Sequence, residues 1–351
     1  MQWMIYGANG YTGELIAREA VRLGMQPILA GRSRDKLEPL ASALDLETRV
    51  FDLGDRQAMT IALHGVGLVL HCAGPFSATS APMIEGCLEA GAHYLDITGE
   101  APVFEHTHAP AQAARARERG VVLCSGVGFD VIPTDCVALK LKQLLPDATH
   151  LSLGFDTSSG LSPGTSKTAI EGLGQGNLER VDGKLVHTPM GKKHREIDFG
   201  RGQRYAMAIP WGDVSTAYYT TGIANIDTWF PMPKSMVVGA QMMNLVRPLM
   251  NVGWVQALLK NLAGKYVKGP DEKAREKLPT YVWGEARNAA GDVKTVRIKT
   301  ANGYKLTVDG ALVIAAWLMS HEVEGGSYTP AMLLGAELVE KLPGSGKFQV
   351  D

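Results

Sequence analysis

Met4-Ile5-Tyr6-Gly7-Ala8-Asn9-Gly10-Tyr11-Thr12-Gly13-Glu14 decides how this chain is read. A short apolar run with the character of a buried strand leads into Gly-x-x-Gly-x-x-Gly, and a helix-forming segment, Glu14 to Leu23, follows directly. At such a strand-to-helix turn the glycines have separate jobs: a tight turn off the strand, a bare backbone that a pyrophosphate can approach, and close packing of helix on sheet. The helix start adds unpaired N–H groups and the positive end of a dipole, both of which favour an anion. Gly7, Ala8, Asn9, Gly10, Tyr11, Thr12 and Gly13 are therefore the expected dinucleotide loop.

Outward from this loop, short apolar runs alternate with amphipathic segments. Met4 to Tyr6, Pro27 to Ala30, Arg49 to Phe51, Leu68 to His71, Tyr94 to Ile97 and Val121 to Cys124 read as strands. Glu14 to Leu23, Arg34 to Leu44, Arg56 to Leu63, Ala81 to Ala90 and Pro110 to Arg119 read as the helices between them. Parallel strands need crossover connections, so this order predicts an α/β fold, a Rossmann doubly wound parallel sheet with helices on both faces.

After Asp135 the pattern becomes polar alternation, at His150 to Asp156, Gln203 to Ile209, Tyr218 to Ile226, Tyr281 to Arg287, Val293 to Thr300 and Tyr304 to Val308. These runs predict a second α/β domain with a mixed, largely antiparallel sheet. Helices are expected at Thr165 to Leu178, Ser235 to Ala263, Ala311 to His321 and Pro330 to Lys341. The expected division is 1–130 for the nucleotide domain, 131–325 for a substrate-binding domain, and 326–351 for a C-terminal helix and tail packing back on the first domain.

Composition narrows the function classes. Of 351 residues, 35 are Lys or Arg and 36 are Asp or Glu, a formal net charge of −1 that leaves no basic excess for a nucleic acid. Glycine is abundant, at 40 residues, with no collagen-like period. Cys72, Cys87, Cys124 and Cys136 lack metal-site spacing and a secreted scaffold's density, so they are expected as reduced thiols in a cytoplasmic protein. His106 and His108 have a metal-like spacing without a third ligand nearby, and no metal is expected. The Met-rich stretch from Met232 to Ala263 is too often interrupted by polar residues to span a bilayer. It is left open as core, homodimer helix or a peripheral membrane contact.

The second strand indicates which dinucleotide. An NAD protein places Asp or Glu there for the ribose 2′-hydroxyl. Here the strand ends Ala30-Gly31-Arg32-Ser33-Arg34-Asp35-Lys36. Arg32 offers a planar fork for a 2′-phosphate, Ser33 a hydroxyl and helix cap, and Lys36 further positive charge, so the expected cofactor is NADP(H). Asp52, ending the third strand, is placed for the adenine amine. Cys72, Ala73, Gly74, Pro75 and Phe76 end the fourth strand with little bulk, which leaves room for the ribose and nicotinamide.

With these segments in hand, the chain resembles the saccharopine dehydrogenase-like oxidoreductases, closest to the branch that includes the trans-acting enoyl reductases. The resemblance rests on the loop, Arg32, Ala73 to Phe76 and His93-Tyr94-Leu95-Asp96-Ile97-Thr98-Gly99-Glu100. It extends to Gly128-Phe129-Asp130-Val131-Ile132-Pro133-Thr134-Asp135, Ser162-Pro163-Gly164-Thr165, Gly269-Pro270, Trp283-Gly284-Glu285-Ala286, Gly303-Tyr304 and Gly325-Gly326 with Thr329-Pro330-Ala331. It implies an NADP-binding domain, a second α/β domain over the nicotinamide, and oxidation or reduction of a substrate that varies across the family. Val131 and Ser162-Pro163 depart from the branch's pattern.

Hydride transfer needs a proton donor as well as a cofactor. Asp130, after the sixth strand, is the candidate donor, base or anchor, against a reading in which Asp130 and Asp135 cap the next helix. Glu100 and Asp96 leave the fifth strand, and Glu100 is the second catalytic candidate. Tyr94 reads as a packed aromatic and Cys72 as a small filler. Phe129, Ser166 and Lys167 are candidate substrate contacts, the last two at a helix start suited to an anionic group. The leading expectation is an NADPH-dependent reductase of an activated C=C in an enoyl or acyl-type substrate. Imine reduction or secondary amine oxidation, and a non-catalytic NADP-binding protein at a lipid surface, stay open beside it.

Overall fold

Trp3, Met4, Ile5 and Tyr6 are each no more than 3 % exposed, so the first strand is buried on both faces. A strand covered on both faces belongs inside a parallel sheet flanked by helices, which is why it reads as a continuous apolar run. The computed structural model describes residues 1–158, 174–247 and 278–351, and over these the chain forms two compact units. The first comprises Met1–Asp130 and Leu306–Leu333; the second comprises Val131–Lys305 and Leu334–Asp351.

In the first unit β1 (Gln2–Tyr6), β2 (Ile28–Gly31), β3 (Thr48–Val50), β4 (Val66–His71), β5 (His93–Asp96) and β6 (Val122–Cys124) alternate with helices. These are α1 (Tyr11–Arg22), α2 (Arg34–Leu44), α3 (Arg56–Leu63), α4 (Phe76–Ala90), α5 (Ala101–Thr107) and α6 (Pro110–Arg119). A late strand, β15 (Gly326–Ser327), adds beside β6. Every described pairing in this sheet is parallel, in the order β15-β6-β5-β4-β1-β2-β3. Strand order therefore reverses at β1, the switch point where open α/β sheets bind ligands. Met4 and Tyr6 join Met59, Leu63, Met83, Ile84 and Cys87 of α3 and α4 in one core cluster. Pleat alternation sends Trp3 and Ile5 to the other face.

The second unit is built on a mixed sheet. Its strands are β7 (His150–Thr157), β8 (Asn177–Val181), β9 (Lys184–Thr188), β10 (His194–Asp198), β11 (Gln203–Ala208), β12 (Asn225–Pro231), β13 (Thr280–Arg287), β14 (Val293–Thr300) and β16 (Gln349–Val350). The main path is β10-β11-β12-β7-β13-β14-β16, with β7 and β12 parallel and the remaining neighbours antiparallel. Helix α7 (Ile132–Leu144) lays Val137 and Leu141 over Gly284 of β13. Helix α8 (Asp213–Thr221) is tied to α7 by the Thr134 hydroxyl, 2.8 Å from Asp213 Oδ1.

Several expectations are corrected. Tyr218 to Ile226 is not one strand: α8 runs to Thr221 and β12 starts at Asn225. Tyr304 to Val308 is helical, inside α10 (Gly303–Ser320), because the Asn302 side chain accepts the Tyr304 N–H at 3.0 Å and starts a helix where a strand was expected. Residues 306–325 consequently join the first unit, not the second, burying Leu306, Leu312, Ile314 and Leu318. Residues 326–333 also lie in the first unit, whereas 334–351 lie in the second. The last expected helix is two, α11 (Pro330–Leu334) and α12 (Leu338–Lys341), separated by Gly335 at φ 81°. In place of the end of a helix at Leu178, Asn177–Val181 pairs with Lys184–Thr188 through Asp182 and Gly183, both left-handed, a pairing favoured by an Asp-Gly turn. The rest of that expected helix lies outside the described residues.

Helix α9 (Lys234–Met243) covers the described part of the Met-rich stretch. It buries Val237, whereas Met236, Val238, Met242 and Met243 are exposed. Residues 248–263 of the stretch lie outside the described residues. No helix among the described residues is long and apolar enough to cross a membrane.

Removing the Asn302 cap tests the start of α10. Asn302→Ala is expected to lower stability in urea by about 1–2 kcal/mol, and an unchanged midpoint would contradict the capping role.

Candidate functional site

Two turns meet at the carboxyl edge of the parallel sheet. The Gly7 N–H donates to the Ala30 carbonyl at 2.7 Å and the Gly10 N–H to the Gly7 carbonyl at 3.0 Å, pinning the β1–α1 loop to the end of β2. Gly7 has φ 84°, and a Cβ there would lie 2.8 Å from Ala73 Cβ, so the loop rests against the turn after β4. A Cβ on Gly13 would lie 2.4 Å from the Gly7 carbonyl oxygen, so the start of α1 sits directly on the loop. Gly10 is the N-cap of α1, and no side chain caps that helix. Its first-turn N–H groups are thus directed at the place where a side-chain cap or an anion would sit.

Arg32, Arg34 and Lys36 are exposed at the start of α2, and Arg32 has neither hydrogen bond nor ion pair among the described residues. Arg34 reaches Glu38 at 3.8 Å. Ser33 occupies the N-cap of α2 but makes no side-chain cap bond, contrary to the expected capping hydroxyl. Asp52 is exposed and accepts the Gly54 N–H at 2.8 Å. Burial and the Asp52 charge push the Tyr6 hydroxyl up to about 12, against the opposing pull of Arg32. Arg32 and Asp52 therefore act on one corner of the site.

On the other side of β1, the Cys72 N–H donates to the Tyr6 carbonyl at 2.7 Å, and Ala73, Gly74 and Pro75 turn the chain into α4. Burial and the Asp96 charge hold the Cys72 thiol well above its ordinary value, which keeps it protonated. Glu100 accepts the Phe76 N–H at 3.0 Å on one oxygen and the Ser77 N–H at 2.7 Å on the other. The carboxylate expected as a catalytic candidate is thus the cap of α4.

Asp96 is fully buried, and its oxygens accept the Tyr94 hydroxyl at 2.7 Å, the Thr98 N–H at 3.0 Å and the Gly126 N–H at 2.8 Å. Burial raises it to about 6 despite these donors. It ties β5 to the loop after β6. Asp130 lies at the end of that loop, with its Oδ2 where a Cβ on Gly99 would come within 2.8 Å. Burial pushes the Asp130 carboxyl up to about 7. The N-cap of α7 is Val131, and Asp135, in the first turn of that helix, accepts the Thr220 hydroxyl. The Phe129 N–H donates to Thr307 Oγ1 at 2.9 Å. Ser166 and Lys167 lie outside the described residues. No group of three or more metal-ligating side chains occurs among the described residues.

The residues lacking from the sequence reading are His71 and Thr79. His71 is fully buried at the end of β4, with Nε2 3.0 Å from Thr79 Oγ1. An apolar strand ending in histidine gave no pattern to mark it.

Residues 3–124 match the saccharopine dehydrogenase NADP binding domain. The first unit carries a saccharopine dehydrogenase NADP-binding domain. NADP(H) is the cofactor that goes with it, and a helix start capped by no side chain, the bare glycine backbone and the exposed Arg32 fit that group. Human saccharopine dehydrogenase-like oxidoreductase is 28 % identical over 204 residues, covering 51 % of this chain and 47 % of that protein. This chain spans about half the length of that and the other animal relatives. A Mycobacterium tuberculosis protein named as a trans-acting enoyl reductase is 24 % identical over 409 residues, covering 98 % of this chain and 95 % of that one. Among solved structures, the apo saccharopine dehydrogenase (L-Glu forming) of Saccharomyces cerevisiae shares the fold, with TM-score 0.66 over 100 % of this chain and 99 % of that one at 9 % identity.

The raised Asp130 carboxyl has a signature in stability. Between its ordinary value near 4 and about 7, the folded chain holds a proton that the unfolded chain has released, so raising pH through this window favours unfolding. Relative to Asp130→Asn, the wild-type chain is expected to lose stability across that window in urea melts. Parallel curves for the two proteins would contradict it.

Proposed function

We propose that the protein is an NADPH-dependent oxidoreductase that reduces an activated C=C in an enoyl or acyl-type substrate. The observation that carries this reading is the Asp130 carboxyl, held over Gly99 beside the cofactor edge and poised near neutrality by burial. The near full-length likeness to a protein named as an enoyl reductase supports the choice of substrate class. Bound NADPH supplies a hydride from the nicotinamide ring.

The chain's own residues do the rest. The first-turn N–H groups of α1 hold the pyrophosphate, and the bare backbone of Gly7 and Gly10 lets it approach. Arg32 takes the 2′-phosphate with Ser33 and Lys36 beside it, and Asp52 meets the adenine amine. Ala73 and Gly74 leave room on the nicotinamide side. Asp130 holds a proton at its carboxyl and would give it to the α-carbon of an enoyl group whose β-carbon is reduced, which would saturate the double bond and leave Asp130 as carboxylate. Phe129 contributes an apolar wall. Glu100, with both oxygens engaged by α4, acts by placing the 73–77 turn. A cytoplasmic location is part of the proposal and is supported by the four cysteines, none of which is in a disulfide.

Two measurements test this. Arg32→Ala is expected to weaken NADPH binding at least about tenfold and leave NADH binding unchanged; equal losses would refute the 2′-phosphate role. In a panel of enoyl thioesters, imines and keto-acid/amine pairs followed by NADPH absorbance, turnover is expected with enoyl thioesters and to fall about 100-fold in Asp130→Asn. Turnover confined to the imine or amine arms, or a variant as fast as wild type, would sink the corresponding part.

A further inference from the structure

The turn from Ala73 to Ser77 is held by side chains at both ends. Thr79 Oγ1 donates to the Ala73 carbonyl at 2.7 Å and lies 3.1 Å from the Pro75 carbonyl. Glu100 takes the Phe76 and Ser77 N–H groups. Its own position is set in turn: the Glu100 N–H donates to Thr98 Oγ1 at 3.1 Å, and the Thr98 N–H donates to Asp96 Oδ1. The Thr79 hydroxyl has one hydrogen, committed to the carbonyls, so it must accept from His71 Nε2. That fixes the His71 tautomer with the proton on Nε2, and His71 Nδ1 has no hydrogen-bond partner among the described residues. Burial drives the imidazole down to about 3, so it stays neutral through the physiological range.

What this bracing serves follows from strand order. β2 and β3 lie on one side of β1, with Arg32 and Asp52 at their ends, and β4, β5 and β6 lie on the other. In a doubly wound sheet the two halves take the two nucleotides of a dinucleotide. The braced turn belongs to the second half and presses on Gly7, where a Cβ would meet Ala73 at 2.8 Å. Its carbonyls are engaged from below by Thr79 and its N–H groups by Glu100, so the turn is fixed before any ligand arrives.

We propose that Thr79, oriented by His71, and Glu100 are positioning residues that set affinity for the nicotinamide half of the cofactor without contributing to the adenosine half. The inference rests on the NADP(H) reading of this edge. Its test uses the full chain and calorimetric titration with NADPH and with adenosine 2′,5′-bisphosphate, which carries only the Arg32 half. Thr79→Val, which keeps shape and loses the hydroxyl, is expected to weaken NADPH about tenfold and to leave the bisphosphate within about twofold of wild type. Glu100→Gln is expected to show the same split, and Thr79→Ser to recover NADPH affinity because the hydroxyl returns. NADPH affinity unchanged in Thr79→Val overturns the proposal, as does a parallel loss of both ligands, which marks a general loosening of the fold, or a failure of Thr79→Ser to recover. A wild-type chain that binds the bisphosphate but not NADPH also overturns it, whereas one that binds neither defeats the cofactor reading itself.

Discussion

Backbone contact between two turns is the constraint on which the first unit depends. Gly7 lies against Ala73, and Gly13 lies on Gly7, at distances that no side chain could occupy. Packing at this density has no slack, so a methyl group at either glycine would push apart β1, β4 and α1 together. The closeness has a chemical purpose as well. It leaves a helix start with no side-chain cap facing a bare loop, and such a place is completed by an anion better than by water.

Around that contact the polar groups are arranged to hold geometry. Asp96 gathers donors from β5 and from the loop after β6, and Glu100 closes the open end of α4. These are costly carboxylates to bury, and their hydrogen bonds offset the loss of water. The Asp130 carboxyl sits against the Gly99 backbone, and desolvation is the main cause of its raised affinity for a proton. Asp96, Glu100 and Asp130 thus share one sheet edge in different surroundings: Asp96 and Glu100 brace backbone N–H groups, and burial raises the Asp130 carboxyl to about 7.

Much of this was legible in the sequence. The six strands of the nucleotide domain fall where apolar runs bounded by glycine and charge predicted them; β1, β2 and β6 are buried almost throughout, which leaves a strong signature, whereas the edge strand β3 is only half-buried. The second unit was harder. Tyr218 to Ile226 and Tyr304 to Val308 alternate as strands do, yet tertiary packing of α8 and the Asn302 cap overrule the local pattern. The Asp182-Gly183 hairpin had a turn signal that the flanking helix formers masked. At the site, the loop and Arg32 could be read from spacing, since their function depends on residues close in sequence. The role of Glu100 could not, because it depends on N–H groups 24 and 23 residues away that only the folded sheet brings within reach. His71 and Thr79 were hidden for the same reason.

The most direct measurement is a crystal structure of the full chain with NADP⁺. The pyrophosphate is expected over the start of α1, the 2′-phosphate within hydrogen-bond distance of the Arg32 guanidinium, and the nicotinamide beside the 73–77 turn. A nucleotide bound away from the Gly7 to Gly13 loop, or a 2′-phosphate with no contact to Arg32, would contradict this assignment of the site.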